Sequence, residues 1–182
     1  MSSGVLLQNS NALKIEKTKL DGVLLIKLDP FRDFRGMYLE IYNEELYKSS
    51  GIDISFVQDD FSVSSKHVLR GLHGDNDTWK LISCLQGAFY LAVVNCDTQS
   101  PNFGKWQGFT LSRENAEQVL IPPKHGNGHL VLTDEALFHY KQSTYYAPEK
   151  QFSYTWNDPR FNVWWPIKNP IVSQRDEFGG KV

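Results

Sequence analysis

The chain has 182 residues, 41% of them apolar and 22% charged, with 19 basic against 21 acidic side chains for a net charge of −2. Such a length and composition describe one domain over residues 1–182 with a full-sized core. There is no basic excess to make nucleic acid the main partner, and no apolar run past the N-terminus, residues 23–26 among them, is nearly long enough to cross a membrane.

In chain order, the stretch from Met1 to Asn11 has no basic segment and an apolar run of only three residues, so no signal peptide is read there and the expected compartment is the cytoplasm. Short strand-like runs follow at 23–28, 37–41, 54–61, 68–73, 81–85, 88–96, 106–111, 118–121, 129–132, 136–144 and 152–156. One helix is expected after Asn43 as N-cap, with Glu44 and Glu45 in its first turn and Gly51 just past its end. Pro122-Pro123 and Asn157-Asp158-Pro159 separate strands, and the last ten residues, ending Gly179-Gly180-Lys181-Val182, are expected to fray. Strands at this spacing predict an all-β sandwich or barrel. Aromatic residues reach 13% (five Trp, eight Tyr, eleven Phe), which suits strands and offers flat faces to a ring-shaped ligand. Cys84 and Cys96 fit no metal-ligand spacing and are read as free thiols packed in a core.

The segment Val68-Leu69-Arg70-Gly71-Leu72-His73 carries the most chemistry. An arginine that can hold an anion and a histidine that can take a proton lie three residues apart in an apolar run, where a buried arginine would be uncommon. Strict alternation would separate the two side chains. A bulge at Gly71 would turn both into one cavity. Within 136–144, alternation puts Phe138, Tyr140 and Gln142 on one face and Leu137, His139 and Lys141 on the other. Tyr140 beside polar neighbours can act as an acid or hold an oxyanion. Asp176 matters only if it orients a histidine. His73, His125 and His129 make no recognised metal motif, Gly126-Asn127-Gly128 lacks the context of a phosphate loop, and His67 and His139 are read as exposed or structural.

An ordered set of short motifs extends the reading: Phe34-Arg35-Gly36, Phe56-Val57-Gln58-Asp59, 68–73, Trp79-Lys80-Leu81, Ser100-Pro101-Asn102-Phe103-Gly104, Leu111-Ser112, Ile121-Pro122, Tyr140-Lys141, Tyr145-Tyr146-Ala147-Pro148, Trp156-Asn157-Asp158 and Trp165-Pro166. Together, from about Gly22 to Asp176, they resemble the dTDP-4-dehydrorhamnose 3,5-epimerase family. The resemblance implies an all-β cupin-type jelly roll (double-stranded β-helix) with a few short helices, a homodimer, no metal or other cofactor, and epimerisation of a nucleotide-linked 4-keto sugar at C3 and C5 or at C3 alone. Position by position, it makes His73 the general base, Asp176 the acid that orients it, Tyr140 the residue that returns a proton from the opposite side, and Lys80 the cation near the enolate oxygen. Arg35, Glu40, Gln58, Arg70 and Tyr146 match positions lining the sugar-nucleotide site, and Asp60, Asn127, His129 and Arg175 join them as candidate contacts.

Three departures bear on the substrate. Asp75 stands where the family has a glutamine, Asp59-Asp60 replaces Asp-Asn, and Gly126-Asn127-Gly128 replaces Ala-His-Gly, with His129 further along. These residues resemble a branch acting on GDP-linked 4-keto heptoses for bacterial capsules, which becomes the expected substrate. A dTDP-linked 4-keto-6-deoxyglucose is the alternative. A 3,4-ketoisomerase and a non-catalytic sugar-binding cupin are the competing functions. Opposed acid and base groups favour epimerisation over both.

Overall fold

The computed structural model describes residues 13–179. The readings of Met1 to Asn11 and of Gly180-Lys181-Val182 lie outside the described residues. The strands are β1 (Lys14–Lys17), β2 (Leu24–Lys27), β3 (Phe31–Asp33), β4 (Gly36–Tyr38), β5 (Gln58–Ser65), β6 (Leu69–Gly74), β7 (Lys80–Gln86), β8 (Ala88–Asn95), β9 (Trp106–Ser112), β10 (Glu117–Ile121), β11 (His125–Val131), β12 (Glu135–Gln142) and β13 (Phe152–Ser153). Two short helices accompany them, α1 (Glu44–Ser49) and α2 (Gln174–Phe178).

A six-stranded sheet runs β1-β2-β10-β7-β12-β5, a five-stranded sheet runs β13-β6-β11-β8-β9, and β3-β4 form a separate hairpin. The ladders are antiparallel. The two sheets face each other as a cupin-type jelly roll. Between them lie Ile82, Phe89, Leu91, Leu111, Val119 and Phe138 with their neighbours. Fully enclosing such a side chain contributes about 1.5–3 kcal/mol. A second cluster, including Tyr47, Ile52, Leu81 and Leu120, seats α1 and the segment around it on the other face of the six-stranded sheet. The helix starts as its sequence dictates: Asn43 Oδ1 accepts from the Leu46 N–H at 3.2 Å, and Glu44 pairs with Lys48 one turn on at 2.9 Å.

Along several strands the inward face changes character from one end to the other. On β12 it passes from Ala136 and Phe138 in the core to Tyr140 and Gln142, on β7 from Cys84 and Ile82 to Lys80, and on β11 from Val131 to His129 and Asn127. Because side chains alternate with period two, these polar residues must line the same interior as the core residues before them. The sandwich is therefore apolar at one end and polar at the other.

Most expected strands are present with shifted ends. The run at 54–61 is replaced by β5, whose inward residues are polar (Gln58, Asp60, Ser62, Ser64) while Phe61 and Val63 face outward, 69% and 46% exposed. The segment at 129–132 begins four residues earlier, because the glycines of Gly126-Asn127-Gly128 serve close packing rather than a turn: a Cβ on Gly128 would lie 3.1 Å from the Arg70 carbonyl and 3.2 Å from Trp165. The strands β1 and β3 were not anticipated. The expected frayed end is a helix from Gln174 to Phe178, started by Ser173, whose hydroxyl accepts from the Asp176 N–H at 3.2 Å. The anticipated bulge is there. His73 pairs with Asn127 and Arg70 with His129, so β6 spends one more residue than β11 between the two pairs. Gly71 lies within it at φ +134°, where an added Cβ would collide with the Gly128 Cα.

Gly71→Ala should therefore lose on the order of 2–4 kcal/mol of stability, from left-handed strain and overpacking together. Urea denaturation measures it, and a loss under about 0.5 kcal/mol would show that the contact relaxes freely.

Candidate active site

The polar end of the sandwich holds a cavity of about 360 Å³. Its walls bring together Gln58, Asp60, Arg70, His73, Lys80, Asn127, His129, Tyr140, Tyr146 and Arg175, all expected from the sequence. Asp176 stands behind His73, with its carboxylate Oδ1 2.6 Å from Nε2 and its side chain only 4% exposed. His73 comes from the five-stranded sheet and Tyr140 from the six-stranded sheet, so the two face one cavity from opposite walls.

Arg35 and Glu40 do not line this cavity. Arg35 is an exposed residue just ahead of β4, and its guanidinium is held by Asp33 of the same hairpin at 2.5 Å. Glu40 accepts from the Asn43 side chain at 3.2 Å. Arg70 lines the cavity as an exposed residue, with Nε donating to Ser64 Oγ at 3.0 Å. His139 lies on the opposite face of β12 with Asp59 at 3.1 Å, His67 is exposed, and His125 sits by the Pro123 carbonyl at 3.1 Å without lining the cavity. Cys84 and Cys96 are free and buried, and burial pushes their thiols up to about 11 and about 12.

The electrostatics assign a protonation state to most groups. Burial pushes Asp176 up, but the hydrogen bond and charge of His73, with Ser173 and the Gly71 N–H, hold it net below the ordinary 3.8. An ionised carboxylate can only accept, so Asp176 takes the Nε2–H of His73, and when the ring is neutral its lone pair is on Nδ1. His129 is buried, stacked on Phe138 with centroids 4.0 Å apart, and burial pushes it down to about 3 with help from Arg70 and His73, so it is neutral. Tyr140 is raised to about 12 by burial, then by the charge of Asp60 and Tyr146 and by hydrogen bonding to Asp60, so it keeps its proton. Burial lowers Lys80, opposed by Asp75 and reinforced by Arg175.

Asp75 explains how this end is held. Its Oδ1 accepts the N–H groups of Asp77 and Thr78 at 2.9 and 2.6 Å, and its Oδ2 accepts from Gln151 Nε2 at 2.9 Å. Gln151 lines the cavity and was missed, because an isolated loop glutamine carries no signal in sequence. Gln142 was placed on the Tyr140 face by alternation and does line the cavity. Two buried polar atoms of the cavity walls, Asn127 Oδ1 and His129 Nε2, have no protein partner. An unpaired buried polar atom costs about 1–3 kcal/mol, so a ligand that meets them recovers that cost.

A family model described as dTDP-4-dehydrorhamnose 3,5-epimerase matches residues 17–181. The dTDP-4-dehydrorhamnose 3,5-epimerase of Shigella flexneri is 37% identical over 173 residues, 93% of this chain and 96% of that one. A dTDP-6-deoxy-D-glucose-3,5-epimerase from Legionella pneumophila Philadelphia 1, in complex with dTDP-4-keto-L-rhamnose, superposes with a TM-score of 0.85 at 38% identity, covering 90% of this chain and 89% of that one. A 3′-monoepimerase from Streptomyces bikiniensis in complex with dTDP-quinovose gives a TM-score of 0.82 at 29% identity, covering 88% and 84%.

The Asp176 carboxylate sets a pH expectation. Its pKa is lower in the folded chain than in the unfolded one, so its stabilisation is complete above the ordinary value and lost as pH falls through the folded value. Asp75, lowered in the folded state despite its burial, acts in the same window. The melting temperature should fall on the acid side of about pH 4, and Asp176→Asn should flatten that fall. Equal acid slopes in both proteins would contradict the pairing.

Proposed function

The chain belongs to the dTDP-4-dehydrorhamnose 3,5-epimerase family, and from that premise we propose that it inverts C3, or C3 and C5, of a nucleoside-diphosphate-linked 4-keto sugar by proton transfer between the two walls of the cavity. The observation that carries this reading is the placement of His73, backed by Asp176 at 2.6 Å, and Tyr140 on facing sheets around one space.

A ketone at C4 acidifies the neighbouring C–H bonds. Neutral His73 takes the proton, and the electron pair moves into the C4 oxygen as an enolate. The imidazolium formed is stabilised by Asp176, as in other histidine–carboxylate pairs. The Lys80 ammonium, inside the cavity wall, offsets the charge on the enolate oxygen. Tyr140 then gives its proton to the carbon from the opposite side and regains one from solvent, while His73 releases the proton it took. Arg70 and Arg175 are the cations available to the diphosphate, with Arg175 steadied by Ser153 at 2.9 Å. A ketoisomerase or a binding module has no use for a donor on the far wall.

The relatives are named for dTDP-linked sugars, so the expected GDP-linked 4-keto heptose and its capsule pathway give way to a dTDP-linked 4-keto-6-deoxy sugar. One observation keeps the heptose as a second reading: Asn127 lines the cavity with an unpartnered Oδ1, a smaller group than an imidazole and one suited to an additional hydroxyl. The protein works as a cytoplasmic homodimer in this reading. The free thiols of Cys84 and Cys96 suit a reducing compartment. The exposed aromatics of the β3–β4 hairpin, Phe31, Phe34 and Tyr38 at 49%, 98% and 71%, suit a second copy, which would carry Arg35 and Glu40 toward the partner's cavity.

Both sugars, incubated with the protein in D2O and followed by mass spectrometry and NMR, test the assignment. Turnover of the dTDP-linked sugar is expected to exceed that of the GDP-linked heptose, and the reverse order would restore the heptose. His73→Asn should lower deuterium uptake on the order of 10²–10⁴-fold. Tyr140→Phe should leave uptake and lose inversion, and wild-type inversion in either variant would remove that residue from its role.

A further inference from the structure

The carboxylate next to Tyr140 has no part in the chemistry above. Asp60 lies directly across from Tyr140 in the β5–β12 ladder, and both line the cavity. Two buried or half-buried carboxamides hold it in place: Gln58 Nε2 donates to Asp60 Oδ2 at 2.7 Å, and Gln142 Nε2 donates to the same oxygen at 2.8 Å. Gln58 is itself fixed, since its Oε1 accepts the Tyr146 N–H at 2.8 Å. The resemblance puts an asparagine at this position, so the charge is a feature of this chain.

We propose that Asp60 is a positioning residue that restrains Tyr140 as the proton donor, and so sets how often the enolate inverts rather than recovers its original configuration. The inference rests on the epimerase reading. The physical argument has two parts. A carboxylate attracts the phenol proton toward itself and away from the substrate. When Tyr140 does give its proton to carbon, the tyrosinate that results sits beside a second negative charge, and so the transfer is uphill by the repulsion between them. The other groups facing Tyr140 are Tyr146 after β12, Lys80 on β7, His129 on β11, Arg70 and His73 on β6, and Arg175 of α2. His129 is neutral, and the cations favour a tyrosinate, so among these groups Asp60 opposes it most strongly by charge, ahead of Tyr146. On the His73 wall nothing comparable stands in the way. The imidazolium made there can trade its proton with solvent and return it to the same face. Exchange without inversion is therefore favoured over inversion.

The test is the ratio of inverted product to deuterium-labelled, uninverted substrate at early times in D2O, for wild type and Asp60→Asn. Asparagine keeps the shape, and its carbonyl oxygen can take the place of Asp60 Oδ2 and accept from Gln58 and Gln142 as before. The ratio should rise roughly 3- to 10-fold in the variant. The alkaline loss of inversion should also move to lower pH by about one unit. Asp60→Ser, also uncharged, should do the same, and Asp60→Glu, which restores the charge, should bring the ratio back toward wild type. A ratio that stays constant or falls, including an equal loss of exchange and inversion as for a plain substrate contact, overturns the role of Asp60 while leaving the epimerase reading intact. A wild-type protein that takes up no deuterium overturns that reading itself, and this inference with it.

Discussion

Two backbones touch where Gly71 of β6 passes Gly128 of β11, and the rest of the site depends on that contact. With side chains on both residues the strands could not approach, and the extra residue of β6 could not be absorbed there. With strict alternation instead, Arg70 and His73 would point to opposite faces of the sheet. The bulge brings both to the cavity and sets His73 within 2.6 Å of Asp176, which arrives from the far end of the chain on α2. His73, the carboxylate beside it and the Arg70 guanidinium are thus brought together by a packing event between two glycines, before any polar interaction is counted.

Polar groups at this end of the sandwich are costly to keep. Lys80 is 8% exposed, His129 4% and Gln142 2%, and Asn127 Oδ1 and His129 Nε2 find no protein partner. Burying such groups in an apolar core would lose several kcal/mol. They are tolerated because the opposite end, around Phe89, Leu91 and Leu111, is closely packed. The cost is also what gives the cavity its use. The groups are fixed before substrate arrives, and low dielectric strengthens what they do to a developing charge. The protonation states follow from the same burial: it keeps His129 neutral and Tyr140 protonated, while two hydrogen-bonded carboxylates, Asp75 and Asp176, stay ionised beside them.

Much of this was legible in the sequence. Alternation along 136–144 put Phe138, Tyr140 and Gln142 on one face, and all three line the cavity. The glycine between Arg70 and His73 suggested the bulge. Asn43, Glu44 and Gly51 marked the one helix whose local signals are strong. Three things were hidden, each for a physical reason. β5 turns its polar residues inward and its Phe61 and Val63 outward, so hydropathy alone misplaces its start. Gly126 and Gly128 look like loop residues because composition cannot tell a glycine needed for a turn from one needed for close packing. The five residues of α2 are too few for periodicity, although Ser173 three residues before Asp176 was a capping signal in plain view. The motif match at Arg35 and Glu40 says nothing about which surface of the fold those residues occupy, and in the single chain they lie away from the cavity.

The central claim is that one wall removes a proton and the other supplies a different one. Substrate carrying deuterium at C3, taken through a single turnover in ordinary water, tests it most directly. Transfer between His73 and Tyr140 predicts that the inverted product has lost the deuterium, because the proton delivered from the Tyr140 wall comes from the protein and ultimately from solvent. Inverted product that keeps its C3 deuterium would mean that the same hydrogen returned, and that the two walls do not act as opposed acid and base.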